Sequence, residues 1–188
     1  STFVMSMMYG NFITSSKLTT VAESDLNTRL HNRNAYENRL RDYPLRCSNS
    51  LTCVYIDVNG LHELNNTYGH EEGDKMLRTV ACILREIFGE EDSYRIGGDE
   101  FVVLYPEIKQ TEFEYFVSQL QKNAKEHQVN ISYGVVWKEM CENLEDLLTE
   151  ADKKMYEDKK LYYSNTKHNR RGQIERNLPL CTAEKKAM

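Results

Sequence analysis

No stretch of this 188-residue chain approaches the roughly 18 to 20 uncharged apolar residues that a bilayer-spanning helix requires. The segment from Thr2 to Ile13 is apolar in places, but Ser, Gly and Asn interrupt it and no basic start precedes it. It reads as the trailing edge of an upstream segment rather than a signal peptide. Paired cysteines are missing as well. Cys47, Cys53, Cys82, Cys141 and Cys181 are odd in number and contain no C-x-x-C, which excludes a secreted disulfide scaffold and a zinc ribbon. Cys53 lies in a strand-like apolar run and Cys82 on an apolar helix, the pattern of reduced, buried thiols in a cytosolic protein. Excess positive charge is absent: 24 Lys and Arg face 29 Asp and Glu, a net charge of −5, so nothing drives general binding to nucleic acid or to an anionic membrane. Internal repeats and low-complexity tracts are also lacking. What remains, with 40% hydrophobic and 28% charged residues, is one globular domain of ordinary size with a core of its own.

Three parts follow along the chain. Residues 1–24 read as a linker or the end of an upstream segment, 25–163 as the domain, and 164–188 as a flexible tail whose Lys167, His168, Arg170, Arg171 and Arg176 form a solvated basic face. Within the domain, Asp25 to Tyr43 has helical spacing through Leu26, Leu30, Tyr36 and Leu40 and stops at Pro44. The run Leu51 to Ile56 is an apolar, β-rich strand ending in Asp57. A short helix from about Gly60 to Tyr68 precedes a longer one reaching Phe88, with Leu77, Val80, Ala81, Leu84 and Phe88 on one face. Tyr94 to Ile96 and Phe101 to Tyr105 flank Gly97-Gly98 as a hairpin. Phe113, Phe116, Val117 and Leu120 mark a further helix. Val129, Ile131, Tyr133 and Val135 alternate with Asn130 and Ser132 as a half-buried strand. Leu144, Leu147, Leu148, Ala151 and Met155 mark a final helix. This order predicts an α+β fold, a mixed central sheet flanked by helices.

Two acidic places exceed what such a fold needs. Asp57 closes a strand that should be central, and Asp99 and Glu100 stand at the Gly-Gly hairpin before another apolar strand. If these strands are neighbours, three carboxylates crowd one end of the sheet and repel unless a cation lies between them. All-oxygen ligands favour Mg²⁺ or Mn²⁺ over zinc, and two such ions about 3.5–4 Å apart suit in-line attack at a phosphate. A plain turn with solvated acids at its shoulder would explain the hairpin alone. The segment Asp57 to Asp74 is unusually polar, however: Asn65, donor and acceptor, and Asp74, an acceptor, could together read the donor-rich edge of guanine. Taken singly, Asn65 suits a helix end, Asp74 a first helical turn and His70 a loop.

These residues fall into a known pattern. Gly97-Gly98-Asp99-Glu100-Phe101 is the GGDEF signature, and Asp57 through Asp74 resembles that family's strand-end Asp followed by N-x-x-Y-G-H-x-x-G-D. Asp25 to Arg33 resembles its opening D-x-L-T-G-L-x-N-R, and Ala151 to Lys159 its closing A-D-x-A-L-Y-x-A-K. The resemblance implies a diguanylate cyclase domain with a palm-like nucleotide cyclase fold. Such domains condense two GTP into cyclic di-GMP and two pyrophosphates across a homodimer. It further implies that Asp57, the Val58 carbonyl, Asp99 and Glu100 bind two Mg²⁺ (or Mn²⁺) ions, with Asp99 or Glu100 assisting deprotonation of the attacking hydroxyl. Asn65 and Asp74 would hold guanine, His62, His70 and Lys159 would lie near the triphosphate, and Gly97-Gly98 would let the nucleotide approach. The domain would be cytoplasmic, whether or not a longer parent is membrane-anchored, with an upstream sensory or regulatory partner and no nucleic acid.

The chain departs from the family at several positions. His62 stands where a phosphate-binding Lys is usual, Tyr163 where an Arg follows the closing Lys, Asn27 for Leu and Arg29 for Gly. The family's product-inhibition motif R-x-x-D is replaced by Phe88-Gly89-Glu90-Glu91. Two readings stand: an active cyclase, or a degenerate module that regulates or docks without turnover.

Overall fold

The computed structural model describes residues 23–42, 50–141 and 143–169. Strand β1 (Ser50–Val58) is buried along its whole length except at Tyr55, which is half-buried. A strand covered on both faces reads as a continuous apolar run and requires helices on both sides of its sheet. The sheet has four strands in the order β2-β3-β1-β4, with β2 at Ser93–Arg95, β3 at Glu100–Pro106 and β4 at Ile131–Glu139. Five helices accompany it among the described residues: α1 (Arg33–Asp42), α2 (Leu61–Tyr68), α3 (His70–Phe88), α4 (Gln110–Glu126) and α5 (Leu144–Asn169).

The α+β class is as expected, but the sheet is not mixed. β1 pairs antiparallel with β3 and with β4, and β2 pairs antiparallel with β3. β3 and β4 run in the same direction, yet β1 lies between them, so strands of like direction never become neighbours. The one parallel contact among the described residues is an isolated bridge between His31 and Tyr94. On one face Val54, Ile56, Val58, Phe101 and Val103 pack with Leu77, Val80, Leu84 and Phe88 of α3 and Leu120 of α4. On the other, Leu51, Cys53, Val102, Leu104 and Val136 pack with Leu147 and Ala151 of α5 and Tyr36 of α1. Each fully buried Val, Leu or Ile contributes roughly 1.5–3 kcal/mol.

Cover on both faces also corrects the reading of β4. Ile131, Tyr133 and Val135 are half-buried under the α3–α4 layer, while Ser132 is fully buried on the side of α5. α5 comes so close there that a Cβ on Gly134 would stand 1.9 Å from the Ala151 carbonyl oxygen. Asp158 of α5 ties the same strand by accepting a bond from the Tyr133 amide at 3.0 Å.

The expected helix from Asp25 begins only at Arg33. The Asp25 carboxylate accepts from the Thr28 amide at 2.8 Å and hydroxyl at 2.7 Å, and its backbone N–H donates to the Leu30 carbonyl at 2.8 Å. A short acidic side chain bonding its own backbone competes with helix formation. Leu26 is therefore 74% exposed instead of lining a helix face. Asn32 supplies the cap, its Oδ1 accepting from the Ala35 amide at 3.1 Å. Within this turn Arg29 has φ +63°, the left-handed region in which a non-glycine residue is strained. At the other end, Ser164 to Asn169 continue α5 rather than starting a tail. Residues 1–22, Pro44 and 170–188 lie outside the described residues, as do Cys47 and Cys181. Cys53 and Cys141 are buried, Cys82 is half-buried, and none of the three is in a disulfide. Burial pushes the Cys53 thiol upward, which suits an inert core residue. No helix among the described residues is long and apolar enough to cross a membrane.

Two stability outcomes follow. Gly134→Ala should lose about 2–3 kcal/mol in urea unfolding, because the atoms in the way are α5 backbone, which cannot turn aside as a flexible side chain would. Arg29→Gly should gain about 1 kcal/mol by relieving the left-handed strain, read as a higher urea midpoint at unchanged slope.

Candidate active site

Asp57 is the next-to-last residue of β1 and is 3% exposed. Alternation along the strand turns it to the same side as Cys53, under α5, where Lys159 donates to Oδ2 at 2.5 Å. The second oxygen, Oδ1, is buried and has no hydrogen-bond partner. Burial pushes the Asp57 carboxyl above its ordinary value, against the pull of Lys159 and helped by the nearby charge of Asp99. Burial works to lower the Lys159 ammonium as well, yet the bond and charge of Asp57, with Asp99, hold it above the usual lysine value.

Register brings the hairpin loop to this carboxylate. Glu100 is the cross-strand partner of Asp57, and the Val58 amide donates to the Asp99 carbonyl at 2.9 Å. The loop closes on itself through the Ile96 and Gly97 amides, which donate to the Glu100 carbonyl at 3.0 and 3.3 Å. The Glu100 side chain folds over Gly97, where a Cβ would lie 2.4 Å from its Oε2, while nothing stands within 4 Å of a Cβ on Gly98. Asp99 and Glu100 are half-buried and Gly98 is exposed. Arg95 supports the loop from beneath: it donates to the Gly98 carbonyl at 2.7 Å and to Asp25 Oδ1 at 3.0 Å. Burial tends to raise the Asp25 carboxyl, but the Thr28 bonds and Arg95 hold it below the usual value.

Among the described residues no three His, Cys, Asp or Glu side chains converge closely enough to cage a metal. Asp57 feels the charge of Asp99, while the Glu100 side chain turns back over Gly97. That donor set still suits Mg²⁺, which binds through one or two carboxylates, water and substrate phosphate rather than a protein cage. The orphaned Asp57 oxygen is the kind of buried polar atom that needs an outside partner.

After β1 the chain turns through Asn59 and Gly60. Asn59 is buried; its Nδ2 donates to Ser132 Oγ at 2.8 Å and its amide to the Asn130 carbonyl at 2.8 Å. Gly60 precedes α2 with φ +77° and no side-chain cap, so the first amides of this helix remain available to an anion. Tyr163, one turn beyond Lys159 on α5, accepts from the Gly60 amide at 3.4 Å. His62 is exposed, its Nε2 3.0 Å from Asn66 Nδ2, and His70 is exposed at the start of α3. α2 and α3 meet at Gly69 and form a seam. Asn65 Oδ1 is buried there without a partner, in a space open only because Gly73 has no Cβ, which would stand 1.9 Å from that oxygen. Asp74, the next residue, is exposed and accepts from Asn27 Nδ2 at 3.0 Å.

The structure therefore gathers the sequence-predicted residues into two adjoining places. Asp57, Val58, Gly97, Gly98, Asp99, Glu100 and Lys159 meet at the end of the central strands, and Asn65 and Asp74 at the α2–α3 seam. His62 and His70 sit on exposed helix surface. Sequence reasoning missed the supporting roles of Asn59, Arg95 and Asn27. Their polar character was readable, but apart from the Arg95–Gly98 bond their partners lie far along the chain.

Comparison with known proteins shows the family. The family model for "Diguanylate cyclase, GGDEF domain" matches residues 22–164. Diguanylate cyclase DgcS of Shewanella oneidensis is 32% identical over 144 residues, covering 72% of this chain and 49% of DgcS. Cyclic di-GMP phosphodiesterase PdeR of Escherichia coli K12 is 35% identical over 107 residues, 55% of this chain and 16% of PdeR. The chain thus spans half or less of the length of these relatives. The coiled coil and GGDEF domain of DgcB from Caulobacter crescentus, in complex with c-di-GMP, superposes with a TM-score of 0.70 at 17% identity, covering 84% of this chain and 91% of that one. At that identity the likeness is one of fold.

The Asp57–Lys159 pair makes a stability prediction with a defined pH sign. Lys159→Met leaves a buried carboxylate without its cation and should cost about 2 kcal/mol at pH 7 in the presence of a chelator, after discounting for the partial exposure of Lys159. Because the folded-state value of Asp57 is raised, the unfavourable contribution grows as pH rises through that value. The deficit of the variant should shrink on acidification, where Asp57 is protonated in both states. A deficit independent of pH would assign the loss to packing.

Proposed function

The chain belongs to the GGDEF diguanylate cyclase domain family, and on that premise we propose that it condenses two GTP into cyclic di-GMP and two pyrophosphates at a homodimer interface. The observation that carries this reading is the buried, unpartnered Oδ1 of Asp57 beside Asp99 at the mouth of the signature loop. In this reading Asp57, Asp99 and the Val58 carbonyl hold Mg²⁺, with Glu100 next to them. The ion, when bound, supplies charge to stabilise the phosphoryl oxygens and lowers the pKa of a coordinated hydroxyl. Lys159 neutralises Asp57 in the nucleotide-free chain, and the uncapped amides at the start of α2 provide donors for the β- and γ-phosphates. Asn65 accepts from and donates to the guanine edge, and the Asp74 carboxylate accepts from it. Gly98, with open space before it, admits the nucleotide. Two half-sites facing one another bring the 3′-hydroxyl of each GTP in line with the α-phosphorus of the other, with pyrophosphate as the leaving group. A larger parent protein would supply the sensory or regulatory partner.

A second reading, a GTP-binding regulatory module without turnover, is favoured by one feature. Two cations of the family pattern are replaced by His62 and Tyr163, and the Tyr163 hydroxyl occupies the Gly60 amide. The two are separated by assaying cyclic di-GMP formation from GTP and Mg²⁺ with the chain fused to a dimerising coiled coil. Turnover is expected, and Asp99→Ala should lower it at least about 100-fold with an unchanged thermal midpoint. Silence of the dimerised parent, with GTP still bound, would establish the regulatory reading instead.

A further inference from the structure

Asp74 does not stand alone at the seam. Its Oδ1 accepts from Asn27 Nδ2 at 3.0 Å, and Asn27 Oδ1 accepts in turn from an Arg78 guanidinium nitrogen at 2.7 Å. A carboxylate only accepts and a guanidinium only donates, so an amide placed between them has a single orientation that satisfies both. Asp74 and Arg78 are four residues apart on α3, the spacing at which an acid and an arginine otherwise pair directly. Such a pairing would consume carboxylate lone pairs. Asn27 intervenes: it takes the Arg78 donor on its own oxygen and spends a single N–H on Asp74. Its backbone is anchored independently, in the turn that Asp25, Thr28 and Leu30 close and that Arg95 ties to the signature loop. Leucine, the usual family residue here, can do none of this.

We propose that Asn27 is a positioning residue for base recognition, holding the Asp74 carboxylate open toward the guanine N1–H and 2-amino group while keeping Arg78 off it. This rests on the reading of Asp74 as a base contact. The seam then prefers guanine to hypoxanthine, which lacks the 2-amino donor, and the preference depends on Asn27.

The test is equilibrium binding of 3′-deoxyGTP and 3′-deoxyITP to the full chain with Mg²⁺; neither nucleotide carries the attacking hydroxyl, so no product interferes. Asn27→Asp retains the acceptor for Arg78 and removes the donor to Asp74, whereas Asn27→Ala removes both. Each variant should bind 3′-deoxyGTP about fivefold more weakly, with a smaller loss for 3′-deoxyITP, so that the guanine preference contracts. Asp74→Ala should abolish the preference. A merely structural role for Asn27 would lower both affinities alike or neither. If Asp74→Ala removes the preference while both Asn27 variants keep it, the positioning role is wrong and the base-reading role stands. Should Asp74→Ala bind as the parent chain does, or the parent show no preference, both roles fall.

Discussion

A carboxylate buried at the end of the central strand is the constraint on which the rest of the structure depends. Burying Asp57 is unfavourable unless something compensates its charge, and compensation comes from Lys159, far along the chain on α5. With the Tyr133 amide bond to Asp158 and the packing of Leu147 and Ala151, this bond sets where α5 crosses the sheet. The crossing requires close backbone approach, which Gly134 permits, and it buries Ser132 and Val136 beneath α5. Only one oxygen of Asp57 is satisfied in this way. The fold thus tolerates an unsaturated polar atom at the site where an outside partner would bind, as functional sites commonly do.

Around that point the chain spends its loops on stiffness. The Gly-Gly hairpin has few side chains with which to hold its own shape, so its order is imported. Val58 bonds Asp99, Glu100 folds over Gly97, and Arg95 links the Gly98 carbonyl to Asp25. The opening turn is consequently a strut under the signature loop and not the first turn of a helix. It also carries Asn27 to the α2–α3 seam, so one short segment touches both halves of the site.

The departures from the family pattern have physical consequences in place. Arg29 adopts the left-handed backbone where glycine is usual, Tyr163 meets the Gly60 amide where an arginine is usual, and Asn27 makes two side-chain bonds where leucine makes none. The first is local strain. The second exchanges a fixed positive charge for a hydroxyl near the uncapped start of α2. The third adds a polar relay to the seam. Arg29 and Asn27 share the opening turn, so their effects can couple, whereas Tyr163 acts from α5.

Much of this was legible in the linear sequence, because its signals are local. Apolar period marked α3 and β1, turn chemistry marked the Gly97-Gly98 hairpin, and ordered motifs placed Asp57, Asn65, Asp74, Asp99 and Lys159 in one family. Those signals depend on neighbours within a few residues. Strand direction was misread because a crossover length does not say which strands become adjacent, and only the placement of β1 between β3 and β4 excludes parallel pairs. β4 was read as a half-buried strand, with Ser132 among its alternating polar residues, because alternation cannot reveal that both faces of the sheet are covered. The opening helix was shortened by Asp25, whose carboxylate found Thr28 and Arg95 instead of water. Residue chemistry was therefore determined by the sequence itself. Which polar groups are satisfied, and which are left waiting for a ligand, was decided by tertiary structure, since hydrogen bonds between distant residues exist only once packing has brought them together.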